Sequence, residues 1–292
     1  MDQAEKLRNV IKSKQQNYKP NARVITITSG KGGVGKSNVA VNLAVQLQKL
    51  GKKVLIFDAD FGLANVEVMF GAVPEFNLSD LLYRGKKIQE IITKGPEDIG
   101  FISGGTGIMG LNNLSKDQVS FLVRSLRELD MLADFILIDT GAGISDHVLE
   151  FVLSSPEVLL VTTPEPSSLT DAYSLLKTLY RNPDFVCENT KIRIVANRVM
   201  SLEEGNHVYG KLNSVVEQFL HGTIDYAGMI PQDVMLEKAI RQQQPVSLYA
   251  PSSKSAKAFE VLATNVLNCE YKQIQLRTGI AELFTNLLRP RY

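Results

Sequence analysis

Arg23-Val24-Ile25-Thr26-Ile27-Thr28-Ser29-Gly30-Lys31-Gly32-Gly33-Val34-Gly35-Lys36-Ser37 is the stretch that decides the fold. Its first seven residues are β-branched and alternating, which predicts a strand. Gly30 to Ser37 satisfies G-x-x-x-x-G-K-[ST], and Asn38 to Leu50 has the apolar spacing of a helix. A phosphate-binding loop needs that strand–loop–helix context. The glycines let backbone N–H groups turn inward onto phosphate oxygens, and the helix N-terminus adds partial positive charge. Gly32, Gly33, Val34, Gly35, Lys36, Ser37 and Asn38 are the candidate cradle. Lys36 would reach the β- and γ-phosphates, and the Ser37 hydroxyl would hold Mg²⁺. The competing reading, a glycine-rich turn that binds nothing, leaves the lysine and serine unexplained.

Working outward, Lys53–Asp58, Asp134–Asp139, Glu157–Thr162 and Lys191–Ala196 read as buried strands, with shorter candidates at Ile99–Ile102 and Asp225–Ile230. Between them lie helical periodicities over Asp117–Leu132, Ser167–Arg181, His207–His221 and Ser255–Asn268. Near-continuous apolar strands alternating with amphipathic helices predict an α/β fold. It is a three-layer arrangement with a mostly parallel central sheet and helices on both faces. Ligands in such sheets bind beyond the carboxyl ends of the strands, where the motifs of this chain sit.

Composition sets limits. The 292 residues are 44% hydrophobic and 22% charged, as in ordinary globular proteins. The net charge of +1 gives no bulk argument for nucleic acid, and none is expected as a partner. The two cysteines, Cys187 and Cys269, lie far apart with no C-x-x-C. That argues against a zinc site, an iron–sulfur bridge or a disulfide scaffold. The start is not a signal peptide, and no run of about 18 apolar residues could span a bilayer. A cytoplasmic location is expected.

A second lysine, Lys31, directly follows the first glycine. The run K-G-G-V-G-K-S resembles the deviant Walker A of the MinD/ParA group of P-loop ATPases. The resemblance implies a homodimer with ATP, in which Lys31 crosses the interface and touches the partner's nucleotide phosphates. Asp58-Ala59-Asp60 with Asn65 resembles that group's switch I, which makes Asp60 the expected general base or water-orienting residue and Asp58 a support of the Mg²⁺ shell. The alternative for either is a carboxylate capping a helix. Asp139-Thr140-Gly141-Ala142-Gly143 resembles Walker B plus switch II, with Asp139 holding Mg²⁺ through water. Gly141 departs from the group's proline, which suggests a more mobile loop. Asn197 and Arg198 correspond to the group's adenine-contacting pair, and Pro231-Gln232-Asp233 to the stretch that closes over adenine. ATP or ADP with Mg²⁺ is the implied cofactor.

The two ends of the chain narrow the resemblance. On a helix, Leu276, Ile280, Leu283, Phe284 and Leu287 fall within an arc of about 100°, with Lys272, Arg277, Arg289 and Arg291 around them. Such a stripe serves either an interfacial anchor on an anionic membrane surface or a last helix packed on the domain. The family resemblance favours the anchor and reversible attachment to the inner face of the cell membrane. At the other end, Asp2-Gln3-Ala4-Glu5-Lys6-Leu7-Arg8 resembles the start of the flagellar branch of the group (FlhG, YlxH, FleN). That implies an N-terminal segment that stimulates a partner GTPase of the signal-recognition-particle type, with Asp2, Gln3, Leu7 and Arg8 as its contacts.

The expected organisation is therefore an activator segment at 1–22, a MinD-like ATPase domain at 23–270 and a membrane-targeting helix at 271–292. The expected function is a Mg-ATP-dependent, dimerising, membrane-associating switch. It would control flagellar number and placement, with flagellar basal-body (C-ring) proteins among its partners. A division-site MinD and a ParA-type DNA segregation ATPase are the alternatives.

Overall fold

The computed structural model describes residues 22–60, 65–105, 115–268 and 279–287. Among the described residues the eight strands are β1 (Arg23–Thr28), β2 (Val54–Ala59), β3 (Thr93–Lys94), β4 (Gly100–Ser103), β5 (Phe135–Thr140), β6 (Glu157–Thr162), β7 (Lys191–Val199) and β8 (Asp225–Pro231). They form one sheet in the order β3-β4-β2-β5-β1-β6-β7-β8. All neighbours are parallel except the short edge strand β3, which pairs antiparallel with β4. The expected α/β class is what the chain adopts.

Period-two alternation along the strands divides the core. Ile25, Ile27, Phe135, Leu137, Leu159 and Val161 face a layer that includes the helices Lys36–Lys49 and Lys254–Leu267. Val24, Ile136 and Ile138 face the opposite layer, with the helices Lys116–Leu132 and Ile280–Leu287. Val158 and Leu160 continue that second face under the helix Pro166–Tyr180. Both faces are covered, so the central strands are mostly apolar on both sides, and the buried Glu157 of β6 is paired with Arg23 of β1.

Most expected elements lie within a few residues of their place. The short helices Asn65–Phe70, Leu78–Tyr83, Asp146–Ser154 and Val234–Arg241 were not anticipated. The helix expected from His207 begins earlier, at Leu202, because Ser201 caps it by accepting the Glu204 N–H. It then loosens into a π-type turn over Val216–Leu220.

The terminal helix takes the second of the two uses open to its stripe, packing on the domain. Ile280, Leu283, Phe284 and Leu287 were expected on a membrane-facing stripe, but here they are buried in the core shared with β2 and β5. Phe284 packs edge-to-face on Phe57 of β2 (5.3 Å between ring centres) and on Phe151 of the helix Asp146–Ser154 (5.7 Å). The Ile280 N–H donates to Asp130 Oδ1 at 3.1 Å. In this conformation the segment is part of the domain, because burying such a stripe on the sheet removes the same apolar area from water as a membrane would. Leu276 lies outside the described residues, as do Asp2, Gln3, Leu7 and Arg8.

Candidate functional site

The loop between β1 and its helix turns at the carboxyl edge of the sheet, with β5 on one side of β1 and β6 on the other. Two glycines fix its course. A Cβ on Gly30 would lie 2.3 Å from the backbone of Asp171, so the helix Pro166–Tyr180 can approach only a glycine there. Gly35 has φ of +92°, and a Cβ on it would lie 2.3 Å from Asn197 Nδ2. Only glycine meets both demands.

Lys36 is buried, and its Nζ donates to Asp139 Oδ1 at 2.8 Å. Asp139 Oδ2 is buried and has no hydrogen-bond partner among the described residues. Burial pushes the Asp139 carboxyl up, the Lys36 charge and hydrogen bonds from Lys36 and Ser37 oppose this, and Asp60 adds to the rise. An orphaned carboxylate oxygen close to the Ser37 hydroxyl suits a hydrated Mg²⁺. Among the described residues no cluster of three His, Cys, Asp or Glu could hold a metal alone. A cation here would need phosphate oxygens as further ligands.

Asp58 fits the capping alternative. Oδ1 accepts the Asp60 N–H at 3.1 Å and Oδ2 accepts the Val66 N–H at 3.2 Å, which holds the turn from β2 into the helix Asn65–Phe70. Burial and the neighbouring Asp139 charge push its pKa up to about 8. Asp60 is half-buried, and its Oδ2 accepts Asn65 Nδ2 at 3.1 Å. The switch II loop is tied to β1 by the Gly143 N–H donating to Ser29 O at 2.8 Å. A Cβ at Gly141 would make only ordinary contacts, the nearest 3.6 Å from Val148.

Beyond β6 and β7 the surface opens into a cavity of about 670 Å³. Gly35, Asn38, Asn197, Arg198 and Pro231 all line it. Asn197 Nδ2 donates to Val34 O at 2.7 Å, which fastens β7 to the phosphate loop and leaves Oδ1 buried without a partner among the described residues. Arg198 sits at φ +58° where β7 and β8 lose register, and this irregularity leaves it exposed at the rim. Asp233 accepts the N–H groups of Met235 and Ser255 and the Ser255 hydroxyl, so it anchors the wall that Pro231 and Gln232 form.

Lys31 is more exposed than Lys36. Its side chain is 39% exposed, with Nζ 2.7 Å from Ser167 Oγ and 3.7 Å from Glu165 Oε2. The sequence reading missed these two partners and missed Thr163, although Thr163-Pro164-Glu165 directly follows a strand whose carboxyl end should meet the ligand.

Residues 25–246 match the CobQ/CobB/MinD/ParA nucleotide-binding domain. The chain belongs to the MinD/ParA family of P-loop ATPases. Within it, the antiactivator FleN of Pseudomonas aeruginosa is 38% identical over 87% of this chain and 89% of its own length. The flagellum site-determining protein YlxH of Helicobacter pylori is 34% identical over 97% of this chain and 94% of its own. The cell division ATPase MinD of Pyrococcus furiosus superposes with a TM-score of 0.66 at 29% identity, over 84% of this chain and 98% of that one. A MinD from Pyrococcus horikoshii, complexed with Mg-ADP, has a TM-score of 0.65 at 29% identity, over 84% and 96% of the two chains. The expected MinD/ParA relationship and its flagellar branch are thus both found.

Proposed function

We propose that the chain is a Mg-ATP-dependent, dimerising ATPase switch that governs flagellar number and placement. One observation carries the mechanism: two lysines of one loop have opposite surroundings. Lys36 is buried against Asp139, whereas Lys31 is partly exposed, with Ser167 and Glu165 as its partners among the described residues. Lys36 would exchange Asp139 for the β- and γ-phosphates, and Asp139 and Ser37 would then hold Mg²⁺. The bound cation supplies charge neutralisation for the phosphoryl oxygens. Asp60 orients the attacking water, and Lys31 reaches across a two-fold interface to the phosphates of a second copy. Asn197 and Pro231 receive the adenine, with Arg198 beside it.

The FleN and YlxH relatives support the flagellar assignment. On that reading Asp2, Gln3, Leu7 and Arg8 act on a signal-recognition-particle-type GTPase, and flagellar C-ring proteins are further partners. Among the described residues no helix is long and apolar enough to cross a membrane. On this reading the helix Ile280–Leu287 leaves its seat and lies in the interface of an anionic bilayer. Its neighbours give a route for the signal, since Phe57 precedes Asp58 on β2 and Phe151 follows the switch II loop. One short helix binds weakly, and dimerisation doubles it. The protein would then move between the cytoplasm and the inner face of the cell membrane.

Light scattering tests the proposal. ATP should give a dimer and ADP a monomer, and Lys31→Ala should remain monomeric with either. An ATP dimer in Lys31→Ala would remove the crossing lysine from the account.

A further inference from the structure

The ends of successive strands around β1 carry three buried polar atoms without partners among the described residues. They are Asp139 Oδ2 on β5, Thr163 Oγ1 just after β6 and Asn197 Oδ1 on β7. The first belongs to the metal and the third to the base, but Thr163 has no role yet. A buried hydroxyl with no partner costs stability and calls for a reason.

The surroundings of Thr163 narrow that reason. Its backbone N–H donates to Ser168 Oγ at 3.1 Å, and Ser168 Oγ is also 2.9 Å from Thr162 Oγ1. Ser168 thus holds the chain at the strand end without serving the Thr163 hydroxyl. The next residue is Pro164, which has no N–H to offer. Thr163 lines the same cavity as Asn197 and Gly35. In the sheet order β6 stands between β1, which carries the phosphate loop, and β7, which carries Asn197. A hydroxyl there can both donate and accept, as sugar hydroxyls and base nitrogens require.

We infer that Thr163 Oγ1 is a nucleotide-binding contact, a hydrogen-bond partner of the nucleoside part of the bound nucleotide rather than of its phosphates. The inference rests on the nucleotide reading of the site. It also makes Thr163 a residue kept at a cost to stability: the hydroxyl is unsatisfied in the protein alone and satisfied in the complex.

Thr163→Val keeps the shape and removes the hydroxyl, and Thr163→Ser keeps the hydroxyl. Calorimetric titration with Mg-ADP and with Mg-pyrophosphate, beside thermal melts of the protein alone, separates the possibilities. We expect Thr163→Val to weaken ADP binding about 5-fold, to leave pyrophosphate binding unchanged and to raise the melting temperature by about 2 °C. Thr163→Ser should bind ADP within about 2-fold of the natural protein. With 2′-deoxy-ADP or 3′-deoxy-ADP, loss of the Thr163→Val penalty would mark a ribose contact, and a persistent penalty would mark the base; either supports the inference. Unchanged ADP binding in Thr163→Val overturns it. So does a lowered melting temperature with pyrophosphate and ADP weakened alike, since the hydroxyl would then be structural. If the natural protein binds pyrophosphate but not ADP, the nucleoside reading itself fails and takes this inference with it.

Discussion

The phosphate-loop edge and the seat of the terminal helix are both buried, yet they are finished to different degrees. At the edge, Asp139 Oδ2 and Asn197 Oδ1 lack partners among the described residues, and burial pushes up the carboxyls of Asp58 and Asp139. At the seat, Phe284 meets Phe57 and Phe151, and the first N–H of the helix has Asp130. The edge has bonding capacity left over, which a nucleotide and cation can use. At the seat the apolar face of the helix is already covered, so any second use of that helix must first uncover it. Ligand binding at the edge is thus downhill, whereas release at the seat costs several kcal/mol, of the order of burying a few large apolar side chains.

Substitutions can break this contrast, and the largest effect should fall at the edge. Lys36→Ala should lower ATP turnover about 10²- to 10³-fold in a steady-state phosphate-release assay. Undiminished turnover would mean that the buried pair with Asp139 is only structural. At the seat, Phe284→Ala should destabilise the protein by about 3–5 kcal/mol, read in denaturant melts. A helix that merely rests on the surface would lose far less.

Smaller effects sharpen the contrast. Lys31→Ala should remove the ATP dimer while leaving stability within about 0.5 kcal/mol, because that side chain is 39% exposed. Asp58 titrates at about 8 in the folded chain against 3.8 ordinarily. Folding therefore holds a proton that the unfolded chain gives up within that window, and this contribution, complete below 3.8, is lost as pH rises towards 8. Melting temperature should fall between about pH 4 and pH 8 and level off above that, and Asp58→Asn, which cannot ionise, should flatten the fall. An equal slope in both proteins would assign the pH dependence to other groups. The least effect is expected from Glu165→Gln. It removes an exposed charge beside Lys31 and should favour the ATP dimer by about 2-fold, measured by analytical ultracentrifugation.

The edge was legible in the sequence because its chemistry demands particular residues at fixed spacing. Gly35, Lys36, Ser37 and Asp139 can serve a phosphate and a cation in few other arrangements. The strands were legible because a sheet covered on both faces is built from near-continuous apolar runs. Lys31 was noticed, but its resting partners Ser167 and Glu165 were not, since they come from a different strand end. Asp58 was open between two uses, and its two backbone hydrogen bonds fit the cap. The terminal stripe was legible only as a stripe. Periodicity states that Ile280, Leu283, Phe284 and Leu287 share a face, not which apolar phase that face meets. Short helices such as Asp146–Ser154 escaped because their length gives too few turns for a period to emerge.

The central claim is that nucleotide at the edge controls the helix at the seat. Cosedimentation of the full chain with anionic phospholipid vesicles, in Mg-ATP and in Mg-ADP, tests it most directly. The account predicts pelleting with vesicles in ATP and little in ADP. Equal behaviour in the two nucleotides, whether bound in both or free in both, would contradict it.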